Sequence, residues 1–119
     1  MKILNIDPTE KSPSVYMDTD GTLNITGKSI LEHPEDFYQK IMDSMDMIDA
    51  EDVTITFEYE YFNTASARAI MKLLKFAFDF NTTVVWSYEE GDEDMQEAGE
   101  DYQEIMWKHS KMPFKFVVT

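Results

Sequence analysis

The chain has 119 residues, 43% of them apolar, enough for one compact domain with a sizeable core and too few for two. Twenty-four acidic residues against ten basic ones leave a formal net charge of −14 at pH 7, which opposes nucleic-acid phosphates and anionic membrane surfaces and points to protein partners. With no cysteine, the chain has no disulfide framework and no thiolate for metal binding or nucleophilic attack.

The opening MKILNIDPTEKSP lacks the apolar run of a signal peptide, and no segment approaches the roughly 20 apolar residues of a membrane span, so a cytoplasmic protein is expected. Val15 to Met17 and Leu23 to Ile25 read as two strands. Between them, Asp18-Thr19-Asp20-Gly21 supplies the positive φ that a tight hairpin needs. Pro34 marks a helix start, with Glu35 and Asp36 suiting the first-turn dipole and Phe37, Ile41, Met45 and Ile48 forming an apolar stripe. Val53, Ile55, Phe57 and Tyr59 then alternate with Thr54, Thr56 and Glu58, the period-two signature of a strand covered on one face.

A second helix begins within EYFNTASARA, residues 60–69, where Ile70, Leu73, Leu74 and Ala77 point inward and Arg68, Lys72, Lys75 and Asp79 outward. Thr83 to Tyr88, rich in β-branched and aromatic residues, is a strand. A third helix spans roughly Asp92 to His109, with Met95, Ala98, Gly99, Tyr102 and Met106 inward, and Phe114 to Val118 closes the sheet. The order ββαβαβαβ predicts a single α/β domain over residues 1–119, with a mixed, mostly parallel sheet and helices mainly on one face.

The junction at Asn63 and Thr64 carries the functional interest. Either residue can cap the free N–H groups of the second helix, and a cap alone would explain their presence. A helix amino end also stabilises anions, so a hydroxyl there is well placed to carry a phosphate, and Arg68, one turn after Thr64, can pair with it. Ser66 falls on the inward stripe, which makes Thr64 the candidate phosphoacceptor and Ser66 the fallback. Thr64, Arg68 and Lys72, with Asp92 and Glu93 at the start of the third helix, follow consecutive parallel strands. They are expected at one end of the sheet as a partner-binding surface.

The segments YFNTASAR, 61–68, and WSYEEGDEDMQEAGED, 86–101, together with Pro13-Ser14-Val15, Gly27-Lys28-Ser29, Phe37-Tyr38 and Pro113-Phe114, resemble the SiaC family of bacterial regulatory phosphoproteins over nearly the whole chain. The resemblance implies a fold like the STAS domains of anti-sigma-factor antagonists. It also implies a switch: a dedicated Ser/Thr kinase phosphorylates the Asn-Thr-Ser-Ser motif, a metal-dependent Ser/Thr phosphatase reverses this, and the unmodified form activates a diguanylate cyclase in c-di-GMP and biofilm signalling. Thr64 matches the motif threonine, with Asn63 and Arg68 supporting the phosphate. Ala65 and Ala67 replace the usual serines, Arg68 replaces the usual lysine, and Ser29-Ile30-Leu31-Glu32-His33-Pro34-Glu35 departs from the usual Ser-Tyr-Pro-Glu.

Asp18-Thr19-Asp20-Gly21-Thr22 resembles the nucleophile loop of Mg-dependent haloacid-dehalogenase-type phosphatases, with Asp92 and Asp94 as the acidic pair that would complete the Mg²⁺ site. A hairpin turn explains the same residues, and no suitably placed lysine follows. The chain could also be an acidic binding module that is never phosphorylated. The acidic run 89–94 lacks calcium-loop spacing, His33 and His109 have no partner at ligand spacing, and neither a metal nor a cofactor is expected.

Overall fold

The computed structural model describes residues 1–119. Its order is β1 (Lys2–Ile6), β2 (Ser14–Asp18), β3 (Thr22–Ser29), α1 (Glu35–Met45), β4 (Asp52–Phe62), α2 (Thr64–Ala77), β5 (Asn81–Tyr88), α3 (Glu93–Ser110) and β6 (Phe114–Val118). The α/β class and the mixed sheet are as expected, with one strand more. The run KILNI forms β1, an edge strand antiparallel to β2, so the order is βββαβαβαβ.

The six strands lie side by side in chain order. The first three pair antiparallel, and β3 through β6 pair parallel. Each parallel connection advances one strand in the same direction, and right-handed crossovers then lay all three helices on one face. Side-chain alternation agrees: Val53, Ile55, Phe57 and Tyr59 are buried beneath the helices, whereas Thr54, Glu58 and Glu60 face solvent.

The core joins this sheet face to one stripe of each helix. Ile70, Leu73, Leu74 and Ala77 of α2 are fully buried. In α1 the buried positions are Tyr38, Ile41, Met42 and Met45, and Ile48 lies beyond the helix end, so the stripe is rotated from the predicted one to admit Tyr38. On α3, Gly99 lets the helix settle on the indole of the fully buried Trp86, whose Nε1 donates to the Met95 carbonyl at 2.9 Å. A Cβ at Gly99 would lie 2.4 Å from Trp86 Cδ1.

One irregularity bears on the site. Gly27 (φ +121) pairs with Tyr59, but Lys28 pairs with Tyr61, leaving Glu60 as an extra residue on β4. Such a bulge exchanges the faces of the residues after it. Accordingly Phe62 pairs with the buried Ser29 and packs among Tyr59, Trp86 and Tyr102, while Tyr61 turns outward.

Candidate functional site

The turn from β4 into α2 is built by Asn63. Its backbone is extended (φ −86, ψ 176), its side-chain Oδ1 accepts from Ser66 N at 2.9 Å, and its carbonyl accepts from Ala67 N at 2.9 Å. Its Nδ2 donates to the Leu31 carbonyl at 2.9 Å and its own N–H donates to the Ser29 carbonyl at 3.0 Å. One side chain therefore caps the helix and ties it to the segment leaving β3. Thr64 is the first helical residue and is exposed. An N–H group there has no partner within its own helix, so the dipole and the hydrogen-bond geometry both favour an anion at this position.

Ser66 is in a different situation. Its side chain has no solvent exposure and its Oγ accepts from Ser29 Oγ at 2.8 Å. Ser29 Oγ accepts in turn from the Tyr38 hydroxyl at 2.8 Å, and Tyr38 pairs with the Tyr59 hydroxyl at 2.8 Å. Because Tyr38 spends its only hydroxyl hydrogen on Ser29, Tyr59 is the donor of that last bond. Four hydroxyls from α2, β3, α1 and β4 thus form one buried chain beneath the Thr64 turn. Burial pushes the ionisation of both Tyr38 and Tyr59 above the ordinary tyrosine value.

Arg68 and Lys72 follow Thr64 at intervals of one turn on the exposed face of α2, and neither is in an ion pair; the one ion pair in the protein joins Lys108 to Glu104. Asp92 caps α3, accepting from Met95 N at 3.1 Å, and Glu93 next to it is exposed. The amino ends of α2 and α3 both lie at the carboxyl end of the parallel strands, as the connection order requires. Asp92 also lines a groove of about 360 Å³ with Glu58, Glu60 and Glu89.

Asp18 and Asp20 lie at the opposite end. The hairpin loop precedes β3 and Asp92 follows β5, a parallel strand, so the two acidic groups are separated by about the length of β3, roughly 25 Å for its 8 residues. The Asp18 carboxylate is engaged within the turn, where Oδ1 accepts from Thr22 N and Asp20 N, each at 3.1 Å, and Oδ2 accepts from the Tyr16 hydroxyl at 3.1 Å. The acidic pair that a phosphatase site would need is not assembled around it. No group of three or more His, Asp or Glu side chains is arranged to hold a metal ion, and no helix is long and apolar enough to cross a membrane.

The family model described as SiaC family regulatory phosphoprotein matches residues 6–119. The chain belongs to the SiaC family. Among solved structures it is similar to a chain of the complex between the diguanylate cyclase SiaD and its activator SiaC from Pseudomonas aeruginosa. That match has 22% identity, covers 98% of this chain and 99% of the other, and has a TM-score of 0.85. Apo-SiaC of the same organism matches at 19% identity over 98% of both chains with a TM-score of 0.79. A further SiaC structure matches at 20% identity over 100% of both with a TM-score of 0.83. No curated protein matches the chain.

Sequence reasoning did not find the second role of Asn63 or the chain of buried hydroxyls. The family-like Gly27-Lys28-Ser29 and Phe37-Tyr38 were the available signal. Ser29 and Tyr38 are residues of those two segments, and both converge on the α2 turn.

Proposed function

We propose that this regulatory protein is a non-catalytic phosphorylation switch in which the unmodified form binds an output protein, a diguanylate cyclase, and phosphorylation of Thr64 releases it. A Ser/Thr kinase and a metal-dependent Ser/Thr phosphatase set the level of modification. The observation that carries this reading is the contrast between the two hydroxyls of the motif: Thr64 is exposed at the first position of α2, whereas Ser66 has no solvent exposure and is bonded to Ser29. A kinase can reach the first without unfolding the helix and cannot reach the second. The solved complex of the similar SiaC with the cyclase SiaD supports the choice of output protein.

The sign follows from electrostatics. A phosphate on Thr64 adds about −1.5 to −2 charge at pH 7, which the α2 amino end and the unpaired Arg68 stabilise within the free protein. A protein interface closing over the same spot has to desolvate that charge, in a molecule that already carries −14. Arg68 and Lys72, with Asp92 and Glu93 on the neighbouring helix start, form the contact surface of the switch. Release by about a hundredfold corresponds to roughly 2.7 kcal/mol, within what such a charge can impose.

The test is calorimetric titration of the cell's own diguanylate cyclase with unmodified, phosphorylated and Thr64→Ala protein, with intact mass measured on material from the native host. Thr64→Ala should bind like the unmodified form and resist phosphorylation. Tighter binding by the phosphorylated form, or phosphate found on another residue, sinks the assignment.

A further inference from the structure

The two edges of the sheet are not alike. β1 carries a register shift between Lys2 and Leu4, the kind of bulge that turns an edge away from new partners, whereas β6 pairs with β5 in unbroken register from Phe114 to Val118. Along β6 the Pro113 carbonyl accepts from Val84 N and the Thr119 N–H donates to the Tyr88 carbonyl, each at 2.9 Å. Strand residues turn their backbone groups to alternate sides. Lys115 and Val117 therefore continue this ladder, and Phe114, Phe116 and Val118 point their N–H and C=O groups away from the sheet. No loop or turn bonds them.

The side chains here are apolar and basic. Phe114 and Phe116 pair with the buried Val84 and Trp86 on the helix-covered face, but α3 lies over β4 and β5, which leaves both rings half-buried at the rim. Val117 and Val118 are 43% and 54% exposed. Charge is sorted along the chain as well: all 24 acidic side chains lie at or before Glu104, whereas Lys108, Lys111 and Lys115 follow it. Lys108 pairs with Glu104, Lys111 stands over the Trp107 ring at 5.4 Å, and Lys115 has no ion partner. The acidic loop after β5 meets β6 only at its far end, where Glu90 N donates to the Thr119 carbonyl at 3.0 Å.

We infer that β6 accepts a further strand, an extended segment of another protein with apolar side chains on the face of Phe114 and Phe116 and an acidic side chain beside Lys115. Main-chain bonds to Phe114, Phe116 and Val118 hold it, cover over the two rings stabilises it, and Lys115 selects its charge. A second copy of β6 fits poorly, because it brings Lys115 of one copy towards that of the other with no carboxylate in either strand to separate them. The edge faces outward from β6, two strands from the β4 that leads to Thr64, so the inference stands whether or not the switch reading does.

The probe is a blocked seven-residue peptide with valine and threonine alternating about a central aspartate, compared with the same peptide carrying lysine there. At about 0.15 M salt the overall charge of −14 is screened beyond about 8 Å. Amide shifts and amide exchange read the site. In the free protein the Phe116 and Val118 amides should exchange as open groups. The aspartate peptide should protect them and bind about fivefold more tightly than the lysine peptide. Lys115→Glu should invert that preference. Val118→Pro, which removes an outward N–H and no bond to β5, should weaken both peptides about fivefold or more, and the exposed Lys40→Glu on α1 should change neither. If Val118→Pro does not fold, Lys115→Glu carries the test by itself. Equal binding of the two peptides, binding that leaves the β6 amides unprotected, or no binding at all overturns the inference. Sedimentation of the free protein covers the other occupant: a dimer that Lys115→Glu or Val118→Pro alters makes it a second copy, which overturns it as well.

Discussion

Asn63 makes two separable side-chain bonds, and removing it tests how the Thr64 turn is held. Asn63→Ala deletes the cap to Ser66 N, which is worth about 1 kcal/mol, and the bond from Nδ2 to the Leu31 carbonyl, worth about 1 kcal/mol more. For 119 residues the entropy of unfolding near 60 °C is about 0.25 kcal/mol/K, so a loss of about 2 kcal/mol lowers Tm by about 8 °C. Asn63→Asp keeps an acceptor for Ser66 N and adds favourable charge at the helix start, but it cannot donate to Leu31. It should lower Tm by about half as much. Calorimetric melts at pH 7 read the stability, and amide exchange at Ser66 and Ala67 reads the local opening. If Asn63→Ala melts within about 1 °C of the unaltered protein, or Asn63→Asp is as damaging as Asn63→Ala, the separation of the two bonds is wrong.

Three further outcomes are expected. Gly99→Ala places a methyl 2.4 to 2.8 Å from the Trp86 ring and forces α3 off the sheet. The overpacking cost of about 1–3 kcal/mol outweighs the helix-propensity gain of about 1 kcal/mol, and urea unfolding with tryptophan fluorescence should show a net loss and altered native emission. Burial raises the ionisation of Tyr38, Tyr59 and Tyr102, so the stability they contribute is complete below the unfolded value near 10 and is lost as pH rises through their raised folded values. An absorbance titration should show a late class of tyrosines ionising together with unfolding, and a smooth titration without loss of structure would contradict it. The hydrogen bond from Thr22 N, with those from Tyr16 and Asp20, holds the Asp18 carboxyl below its usual range. Its contribution is therefore present above the unfolded value near 4 and disappears as pH falls through the lowered folded value. Asp18→Asn should accordingly flatten the acid limb of the stability profile relative to the unaltered protein, as read by urea midpoints between pH 3 and 7.

Elements whose information is local are legible in the amino-acid order alone. Alternation from Val53 to Tyr59 marks β4, the 3.6-residue spacing of Ile70, Leu73 and Ala77 marks the buried stripe of α2, and Asp-Gly at 20–21 marks the β2–β3 turn, where Gly21 has φ +97. The same spacing separates Thr64 from Ser66, because helical residues two positions apart point 200° away from each other and only one of them can face the sheet. Features that depend on distant partners arise only on folding. Lys2–Ile6 shows no alternation of its own and becomes a strand because β2 offers it an edge. Tyr38 turns inward because Ser29 and Tyr59 supply partners for its hydroxyl. Ser29 and Ser66 meet across 37 positions because β3 and β4 are neighbours and α2 packs back on the sheet they form. Periodicity records which face of an element is buried, whereas a hydrogen bond between elements exists only after the sheet register has brought its two ends together.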